Sequence, residues 1–346
     1  MSDSLVFKGQ RLLVIGNSDP IHIGAHLRSA AESLELNVSL CNISEAFAGP
    51  ACLAKLNWWF AGHRPVRLRN FSEQVVQACN QFKPRWLLAT GLAPIEAWAL
   101  EEAARLNVRC LNYLTDDPWN PAHRAPWFMK ALPLYDHVFS PRQANLEELE
   151  KTGCPRVSYL PFAFSPELHF PEPPITREEQ LYFSRDVVFV GGGDQDRVPD
   201  IAALIRAGFK VALHGGYWDR YAETKNHTRG HADAETLRKA IGGAKVALCL
   251  VRRANRDGSS MRTFELPAMG ACMLVEDTDE HRNIFGAEKE AVVYFGSIEE
   301  MIEKLRWLLE HDEERRQLAR AAHDLIVCRP NTYQNRLITM LSRQSN

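Results

Sequence analysis

The residues with the clearest chemical potential lie together at positions 257–270, which read DGSSMRTFELPAMG. The segment follows an apolar, strand-like run and is predicted to open a helix over 261–269, so that backbone N–H groups would face an incoming anion. Small residues at 258–260 let that backbone approach closely. Arg262 could bind a diphosphate in a bidentate manner, and the Glu265 carboxylate could accept two hydrogen bonds from a ribose diol. The alternative is a capped amphipathic helix with both side chains in solvent.

Two glycine clusters follow other strand-like runs in the same half of the chain. Gly191 and Gly192 come directly after the run at 186–190, and His214 and Gly215 close the run that follows it. Glycine permits a tight turn and a close approach of the backbone to a ligand. Neither cluster has full GxGxxG spacing, so a dinucleotide-binding motif is not indicated. Strand-end turns covered by aromatic side chains are the plain structural interpretation.

In the first half of the chain, His22 and the pair Asp116-Asp117 are the candidates for acid–base chemistry. His22 lies in the loop after the first predicted strand, and histidine suits a general base near neutral pH. The two aspartates follow a later strand, where they could bind sugar hydroxyls or accept a proton. A solvated or capping histidine and an Asp-Pro turn are the structural alternatives. One adjacent pair supplies too few oxygen ligands to predict a metal site.

The elements that must position these residues alternate between strand and helix along the first half. Such alternation is typical of a parallel sheet covered by helices. The pattern predicts strands at 11–16, 37–43, 85–90, 109–114, 137–140 and 156–160, and helices at 23–36 and 94–106.

A proline-rich stretch from 161 to 174 interrupts the alternation, and beyond it the same pattern starts again. It predicts strands at 186–190, 210–213, 245–251, 272–276 and 291–295. Helices are predicted to about 207 and over 234–241, 298–310, 313–327 and 332–342. The resulting domains are 1–165, a linker at 166–185, a second domain at 186–330 and a C-terminal helix within 331–346. We therefore expect an α/β protein with two Rossmann-like domains that face each other across a cleft, with ligands at the carboxyl ends of the strands.

The segment around Arg262 resembles the nucleotide-sugar signature of group-1 glycosyltransferases, and more narrowly of their CgeB-like (spore-maturation-type) branch. That signature, R-x-F-E-x-x-A-x-G, is matched by residues 262–270 and is followed by the strand at 272–276 and the acidic turn at 277–280. The similarity covers most of residues 186–336. In the first half only the architecture and the DDPW sequence at 116–119 are similar.

The resemblance implies a GT-B fold and transfer of a sugar from a nucleotide-sugar donor to an acceptor without a metal ion or cofactor. Many retaining members have a glutamate eight residues before the ribose-binding glutamate, where it contacts the donor sugar, and here Asp257 holds that position. The shorter carboxylate leaves the donor sugar and the stereochemistry open. The implied donor-binding residues are Gly191, Gly192, His214, Gly215, Asp257, Ser260, Arg262, Thr263, Phe264 and Glu265, and the implied catalytic residues are His22, Asp116 and Asp117.

Composition limits the remaining function classes. The 41 basic and 43 acidic residues nearly balance, which argues against a nucleic-acid partner. None of the eight cysteines forms a CxxC pair, so free thiols in a reducing compartment are expected. The first residues lack a secretion signal, and no apolar run approaches the ~20 residues of a membrane span. A cytoplasmic location is expected.

Two other functions stay open besides transfer. A nucleotide-sugar epimerase of the same architecture would act on the donor alone, and a non-catalytic protein would only bind it. An NAD-dependent oxidoreductase is disfavoured by the spacing of the glycine clusters.

Residues 56–64, LNWWFAGHR, form an aromatic segment with arginines at 64, 67 and 69. The mixture suits a lipid–water interface or a glycan-stacking surface, because such side chains combine an apolar body with a polar end. Clustered aromatic residues usually fill a core, with arginines at its solvated rim. In the first interpretation Trp58 and Trp59 contact an acceptor or a membrane, and in the second they pack in the core. The acceptor itself, whether glycan, lipid or protein, is not identified.

Overall fold

The computed structural model describes residues 7–343, which form two compact units. Unit 1 combines the chain up to Pro161 with the chain from Tyr333 onward, and unit 2 comprises Phe162–Thr332. Each unit contains one six-stranded sheet in which all paired strands run parallel. The predicted α/β class with two Rossmann-like halves is confirmed.

The division between the units differs from the predicted domain limits. Unit 1 ends at Pro161 rather than at 165, and the stretch predicted as a linker at 166–185 belongs to unit 2. Phe162, Phe164 and His169 are buried. Proline excludes regular hydrogen bonding but does not stop neighbouring side chains from packing, which is why an irregular segment is part of a folded unit.

The sheet of unit 1 has the order β2-β1-β3-β4-β5-β6. Its central strands β1 and β3 are almost continuously apolar and buried, as expected where helices cover both faces of a parallel sheet. The strands are β1 Arg11–Gly16, β2 Asn37–Asn42, β3 Trp86–Thr90, β4 Arg109–Tyr113, β5 His137–Ser140 and β6 Val157–Tyr159.

Seven α-helices of unit 1 lie between residues 8 and 161 of the described chain. They are α1 Ile23–Ser33, α2 Ser44–Phe47, α3 Ala51–Phe60, α4 Leu68–Phe82, α5 Ala97–Arg105, α6 Pro126–Ala131 and α7 Leu146–Lys151. Helix α4 is strongly amphipathic and buries Leu68, Phe71 and Val75, whereas α3 buries no residue at all. Among residues 7–343, no helix is long and apolar enough to cross a membrane.

The sheet of unit 2 has the order β12-β11-β10-β7-β8-β9. Its strands are β7 Arg185–Val190, β8 Val211–His214, β9 Thr228–Gly230, β10 Ala244–Cys249, β11 Met273–Glu276 and β12 Val293–Phe295. Its helices are α8 Arg177–Phe183, α9 Val198–Arg206, α10 Ala234–Gly243, α11 Arg262–Ala268, α12 Asp279–Phe285, α13 Ile298–Glu310 and α14 Asp312–Val327.

The chain then returns to unit 1 with the last described helix, α15 Tyr333–Ser342. The Tyr333 ring stacks on His26 of α1 with ring centroids 4.9 Å apart, and the Arg336 Nε donates to the Pro161 carbonyl over 2.8 Å. Leu337 and Met340 are fully buried. The segment predicted as a separate C-terminal helix is therefore part of the core of unit 1.

Predicted and observed elements agree best for buried strands and capped helices. The predictions at 11–16, 137–140 and 298–310 match the observed bounds. The predicted helix at 23–36 is too long because Glu35 adopts a left-handed φ of +57°. No element is predicted for residues 44–84 before β3, yet α2, α3 and α4 lie there.

Candidate functional site

Each sheet has one point at which the strand order reverses, called here the switch point, and several candidate residues lie at it or beside it. The reversal lies between β1 and β3 in unit 1 and between β7 and β10 in unit 2. Loops that leave the carboxyl ends of such strands diverge and leave a crevice, where open α/β sheets bind ligands. In unit 2 these loops are residues 191–197 and 250–261, and the loop at 17–22 holds His22 in unit 1.

The two glycine clusters form a tightly packed turn at the ends of β7 and β8. The Gly191 N–H donates to the His214 carbonyl over 2.8 Å, and the Gly193 N–H donates to the Gly216 carbonyl over 2.9 Å. Gly215 adopts a φ of +135°, and a Cβ there would lie 2.2 Å from the Gly191 carbonyl oxygen. The structural interpretation therefore accounts for Gly215, while Gly192 has only ordinary van der Waals neighbours.

The loop after β7 brings a buried arginine, Arg197, to the switch point. Its guanidinium lies above the Phe189 ring, and its Nη1 donates to the Gly192 carbonyl over 3.4 Å and lies 3.6 Å from Asp194 Oδ2. Burial, and after it the charge of Arg252, lowers the pKa of Arg197, while Asp194 and Asp257 oppose that shift. A buried cation is therefore held beside the glycine turn.

Arg252, from the loop after β10, meets Arg197 at the same point. The Arg252 Nε lies 3.5 Å from Asp194 Oδ2, so one aspartate lies between two arginines. Asp196 joins the two loops directly, because its Oδ2 accepts from the Ala254 N–H over 3.0 Å. Sequence reasoning missed both arginines, although the RR pair at 252–253 directly after a buried strand was a usable signal.

The segment predicted to bind the donor, residues 257–265, is held by two residues that follow β11, Thr278 and Glu280. The Ser259 hydroxyl, fully buried, donates to Glu280 Oε2 over 2.9 Å, and Thr278 Oγ1 donates to the Gly258 carbonyl. A Cβ at Gly258 would lie 2.6 Å from the Glu280 carboxyl carbon. A larger residue at 258 would therefore displace the buried Glu280 side chain, which holds this loop through Ser259.

A buried histidine on α12, His281, fixes the start of α11. Its Nδ1 lies 2.7 Å from the Glu276 carbonyl, which can only accept, so Nδ1 carries the proton. The Nε2 then accepts from the Thr263 hydroxyl over 2.9 Å, and that oxygen accepts from the Ser260 N–H over 3.0 Å. Burial lowers the pKa of His281 to about 4, so the ring is neutral at pH 7. With its hydroxyl engaged on both sides, Thr263 supports the loop.

Phe264, like Thr263, is buried, and it belongs to the packed core of unit 2. The geometry therefore favours a supporting role for Thr263 and Phe264, and not direct contact of their side chains with a donor. Ser260 and Asp257 are half-buried on the same loop, where their contact with a donor stays a prediction.

Glu265, predicted to bind a ribose, is completely buried and lies between two basic side chains. Oε2 accepts from Arg262 Nη1 within the first turn of α11, and Oε1 lies 3.8 Å from His169 Nε2. Arg262 itself is half-exposed and has further N–H donors beyond the one that Glu265 engages. Arg262 can therefore bridge between Glu265 and an external anion.

His169 comes from the segment predicted as a linker. Its Nδ1 accepts from the Ser165 N–H over 3.0 Å, which leaves Nε2 to carry the proton that faces Glu265. Burial lowers the pKa of His169, and the Glu265 charge opposes that shift. No sequence pattern could pair residues 96 positions apart in two irregular regions.

His214 is buried at the end of β8. Burial, and then the charges of Arg229 and Arg185, lowers the pKa of His214 to about 4. Within residues 7–343, its Nδ1 has no hydrogen-bond partner. A buried and unsatisfied ring nitrogen beside the glycine turn is unfavourable by itself, and a ligand donor could satisfy it.

In unit 1, the predicted catalytic residues have three different environments. His22 is exposed at the residue before α1, with no capping bond from its side chain. Asp117 is buried, and its Oδ1 accepts from the Trp119 N–H and from Asn145 Nδ2, both over 3.0 Å. Asp116 is half-buried, and a Cβ at Gly91 would lie 2.9 Å from its Oδ2. The turn interpretation therefore explains Asp117, and Asp116 remains available to a substrate.

Among the described residues, no group of three or more His, Cys, Asp or Glu side chains is arranged to hold a metal ion. The charged groups of the unit 2 site are arginines and single carboxylates. Arginine binds phosphate oxygens in a bidentate manner, so this site is suited to an anion.

The family comparison agrees with this chemistry. Residues 198–342, less than half of the chain, match the family model for glycosyl transferase-like domains. The matched region runs from α9 to α15 and includes the donor segment, Glu265 and His281. No curated protein sequence matches the chain.

Solved structures are similar over almost the whole chain. Sucrose-phosphate synthase from Thermosynechococcus elongatus is 12% identical with a TM-score of 0.67, covering 97% of this chain and 98% of that one. Anabaena Alr3699/HepE in complex with UDP-glucose is 14% identical with a TM-score of 0.65, covering 97% and 100%. A Listeria monocytogenes protein provisionally described as a UDP-N-acetylglucosamine 2-epimerase is 12% identical with a TM-score of 0.56, covering 97% and 96%. The chain thus has the GT-B fold of these structures, and its residues 198–342 are similar to glycosyl transferase-like domains.

Proposed function

We propose that the protein is a group-1 glycosyltransferase of the CgeB-like branch, which transfers a sugar from a nucleotide-sugar donor without a metal ion. The observation that carries the proposal is the match of residues 198–342 to glycosyl transferase-like domains, because that region includes Arg252, Arg262 and Glu265. The similar fold of HepE in complex with UDP-glucose supports a nucleotide sugar as the donor. No separate cofactor is proposed, since the donor is already activated, and a cytoplasmic location is proposed with it.

On the donor side, we assign the binding of the diphosphate to the arginines of the switch point. Arg197, Arg252 and Arg262 stand at the carboxyl edge of one sheet, two of them around Asp194 and the third held by Glu265. The bond between the anomeric carbon and the diphosphate oxygen breaks during transfer, and negative charge develops on that oxygen. Fixed cations that need no rearrangement stabilise this charge, commonly the largest contribution to catalysis.

On the acceptor side, a group must take the proton that the acceptor loses when its oxygen or nitrogen bonds to the anomeric carbon. His22 and Asp116 in unit 1 are the two candidates that are neither buried nor fully hydrogen-bonded to their own loops. Asp117 would contribute only indirectly, because its hydrogen bonds fix the turn that carries Asp116. General bases of this kind typically contribute a factor of about 10² to 10⁴ in rate.

The first experiment measures donor binding and turnover. Calorimetry with a panel of uridine, guanosine, adenosine and thymidine diphosphate sugars is expected to identify one base with clear affinity. Arg197→Gln and Arg262→Gln should each weaken that affinity about ten- to 100-fold, as expected for a lost hydrogen bond to a charged group. Arg320→Gln, on the exposed face of α14, is the matched control and should bind as wild type does. Lack of binding by the folded wild-type protein to every sugar nucleotide would overturn the proposal.

The similarity to the Listeria protein favours one second candidate, an epimerase. Incubation of each bound donor without an acceptor separates the two. Slow release of free sugar and nucleoside diphosphate is expected of a transferase, whereas isomerised nucleotide sugar identifies an epimerase. Binding without either product identifies a non-catalytic protein.

A further inference from the structure

Helix α3 presents an apolar face to solvent. It reads ACLAKLNWWF, and Lys55 and Asn57 are its only polar residues. A helix with so few polar residues is normally buried. None of its residues is buried, and Leu56, Trp59 and Phe60 are 54%, 76% and 84% exposed.

The outward face of α3 is its apolar face. At 3.6 residues per turn, five of its exposed apolar residues fall within an arc of about 120°. They are Leu53, Leu56, Cys52, Trp59 and Phe60. Ala54 and Asn57, both outside this arc, are the only half-buried residues of the helix. The helix therefore turns its large apolar side chains toward solvent.

The ends of this segment are anchored, so the exposed face has a defined position on unit 1. The Arg67 N–H donates to the Ala46 carbonyl over 2.9 Å, and this hydrogen bond joins the two ends of the segment that contains α3. His63 Nδ1 lies 2.9 Å from the Arg124 carbonyl, and the Trp58 ring packs on the His63 ring with centroids 4.4 Å apart. Trp58 thus holds the helix, and Trp59 projects from it.

The stretch of chain that carries α3 has basic residues and no acidic ones. Residues 46–72 contain Lys55, Arg64, Arg67 and Arg69, and no aspartate or glutamate. Arg64 and Arg69 form ion pairs with glutamates outside this stretch, whereas within residues 7–343 Lys55 and Arg67 form none. Tryptophan beside basic residues on an apolar helix is the combination that binds the headgroup region of anionic bilayers.

We propose that α3 docks unit 1 onto an anionic phospholipid bilayer, with the face of Leu53, Leu56, Trp59 and Phe60 in the interfacial layer. A helix of ten residues is about 15 Å long and cannot span a hydrocarbon core of about 30 Å, so it lies along the surface. Lys55 and Arg67 contact lipid phosphates. This docking does not depend on the proposed transfer reaction. If the acceptor is bound to a membrane, the docked protein would meet it by diffusion along the bilayer surface.

Vesicle co-sedimentation tests the docking. The full chain should bind vesicles of 70% phosphatidylcholine and 30% phosphatidylglycerol, and should bind far less to phosphatidylcholine alone or in high salt. Trp59→Ser with Phe60→Ser should weaken binding at least about tenfold, which corresponds to about 1.4 kcal/mol. The matched control is Ile175→Ser with Leu181→Ser, two equally exposed apolar residues in unit 2. It should bind as wild type does.

Thermal melting and donor binding keep this test separate from folding and from the transfer reaction. Both double variants remove exposed side chains, so both should melt near the wild-type temperature and bind donor alike. The proposal is overturned if the wild-type protein does not bind anionic vesicles at millimolar lipid. It is also overturned if the two double variants bind these vesicles equally well. Concentration-dependent dimerisation that Trp59→Ser with Phe60→Ser abolishes, without vesicle binding, would assign the face to a second copy of the chain.

Discussion

Replacement of His281 by asparagine should change how the stability of unit 2 depends on pH. His281 is fully buried, and its pKa is lowered from 6.5 to about 4 by burial. Below pH 6.5 the unfolded chain therefore binds a proton that the folded chain does not bind, so stability falls as pH falls, until about pH 4. At 1.36 kcal/mol per pH unit, the loss from this one group is about 2 kcal/mol at pH 5 and about 3 kcal/mol at pH 4.

Urea unfolding at pH 7 and pH 5 measures this difference. His281→Asn keeps a donor toward the Glu276 carbonyl but loses the acceptor for Thr263, so it should cost about 1–3 kcal/mol at pH 7. Its stability should then fall by about 2 kcal/mol less than that of wild type between the two pH values. Thr263→Val is the control, because it breaks the same hydrogen bond and keeps the titrating ring. An equal pH dependence in wild type and His281→Asn would refute the assignment of a neutral buried imidazole.

Four further predictions follow from individual contacts. Gly215→Ala should lower the free energy of unfolding by more than about 2 kcal/mol because of the Gly191 carbonyl, whereas Gly208→Ala, also at positive φ but in open space, should cost less. Glu265→Gln should weaken nucleoside diphosphate binding about five- to 150-fold in calorimetry, and unchanged affinity would remove Glu265 from the site. Transfer activity should persist in excess EDTA and fall in Arg262→Gln, and restoration by Mg²⁺ after EDTA treatment would refute the metal-free mechanism. Trp58→Ala should lower the melting temperature more than Trp59→Ala, since only Trp58 packs on His63, and equal shifts would contradict this packing.

The sheets could be predicted from the sequence because their central strands carry their own signal. Strands such as Arg11–Gly16 and Trp86–Thr90 are buried on both faces, so they consist of short continuous apolar runs. The alternation with helices also predicted that the strands run parallel, and it placed the 257–265 segment at the carboxyl ends of these strands, where such sheets bind ligands. The edge strand Thr228–Gly230 has three residues and no such run, and it was missed.

The candidate site was predictable only in part, because half of its geometry depends on contacts between distant segments. The spacing of Arg262 and Glu265 identified them, but the position of His169 against Glu265 depends on how a proline-rich stretch packs. Likewise, nothing local distinguishes Thr263, whose hydroxyl supports a loop, from a residue that contacts a ligand. That distinction comes from His281 on another helix.

The core interpretation of the aromatic segment was wrong for a different reason. Hydropathy measures what a side chain prefers, and not whether the rest of the chain covers it. Trp59 and Phe60 are exposed because no other described element packs over the outer face of their helix. Composition alone cannot separate these cases, since a core helix and a surface-seeking helix have the same residues.

The return of helix Tyr333–Ser342 to the first unit has a consequence for biosynthesis. Unit 2 is in effect an insertion within unit 1, whose last structural piece emerges about 180 residues after Pro161. At a synthesis rate of about 5–20 residues per second, His26 waits for Tyr333 for roughly fifteen to sixty seconds. During that interval a nascent unit 1 leaves the apolar surface under α1 uncovered, whereas unit 2 can fold as one uninterrupted stretch. Unit 2 is therefore complete on the ribosome before unit 1, although its synthesis begins later.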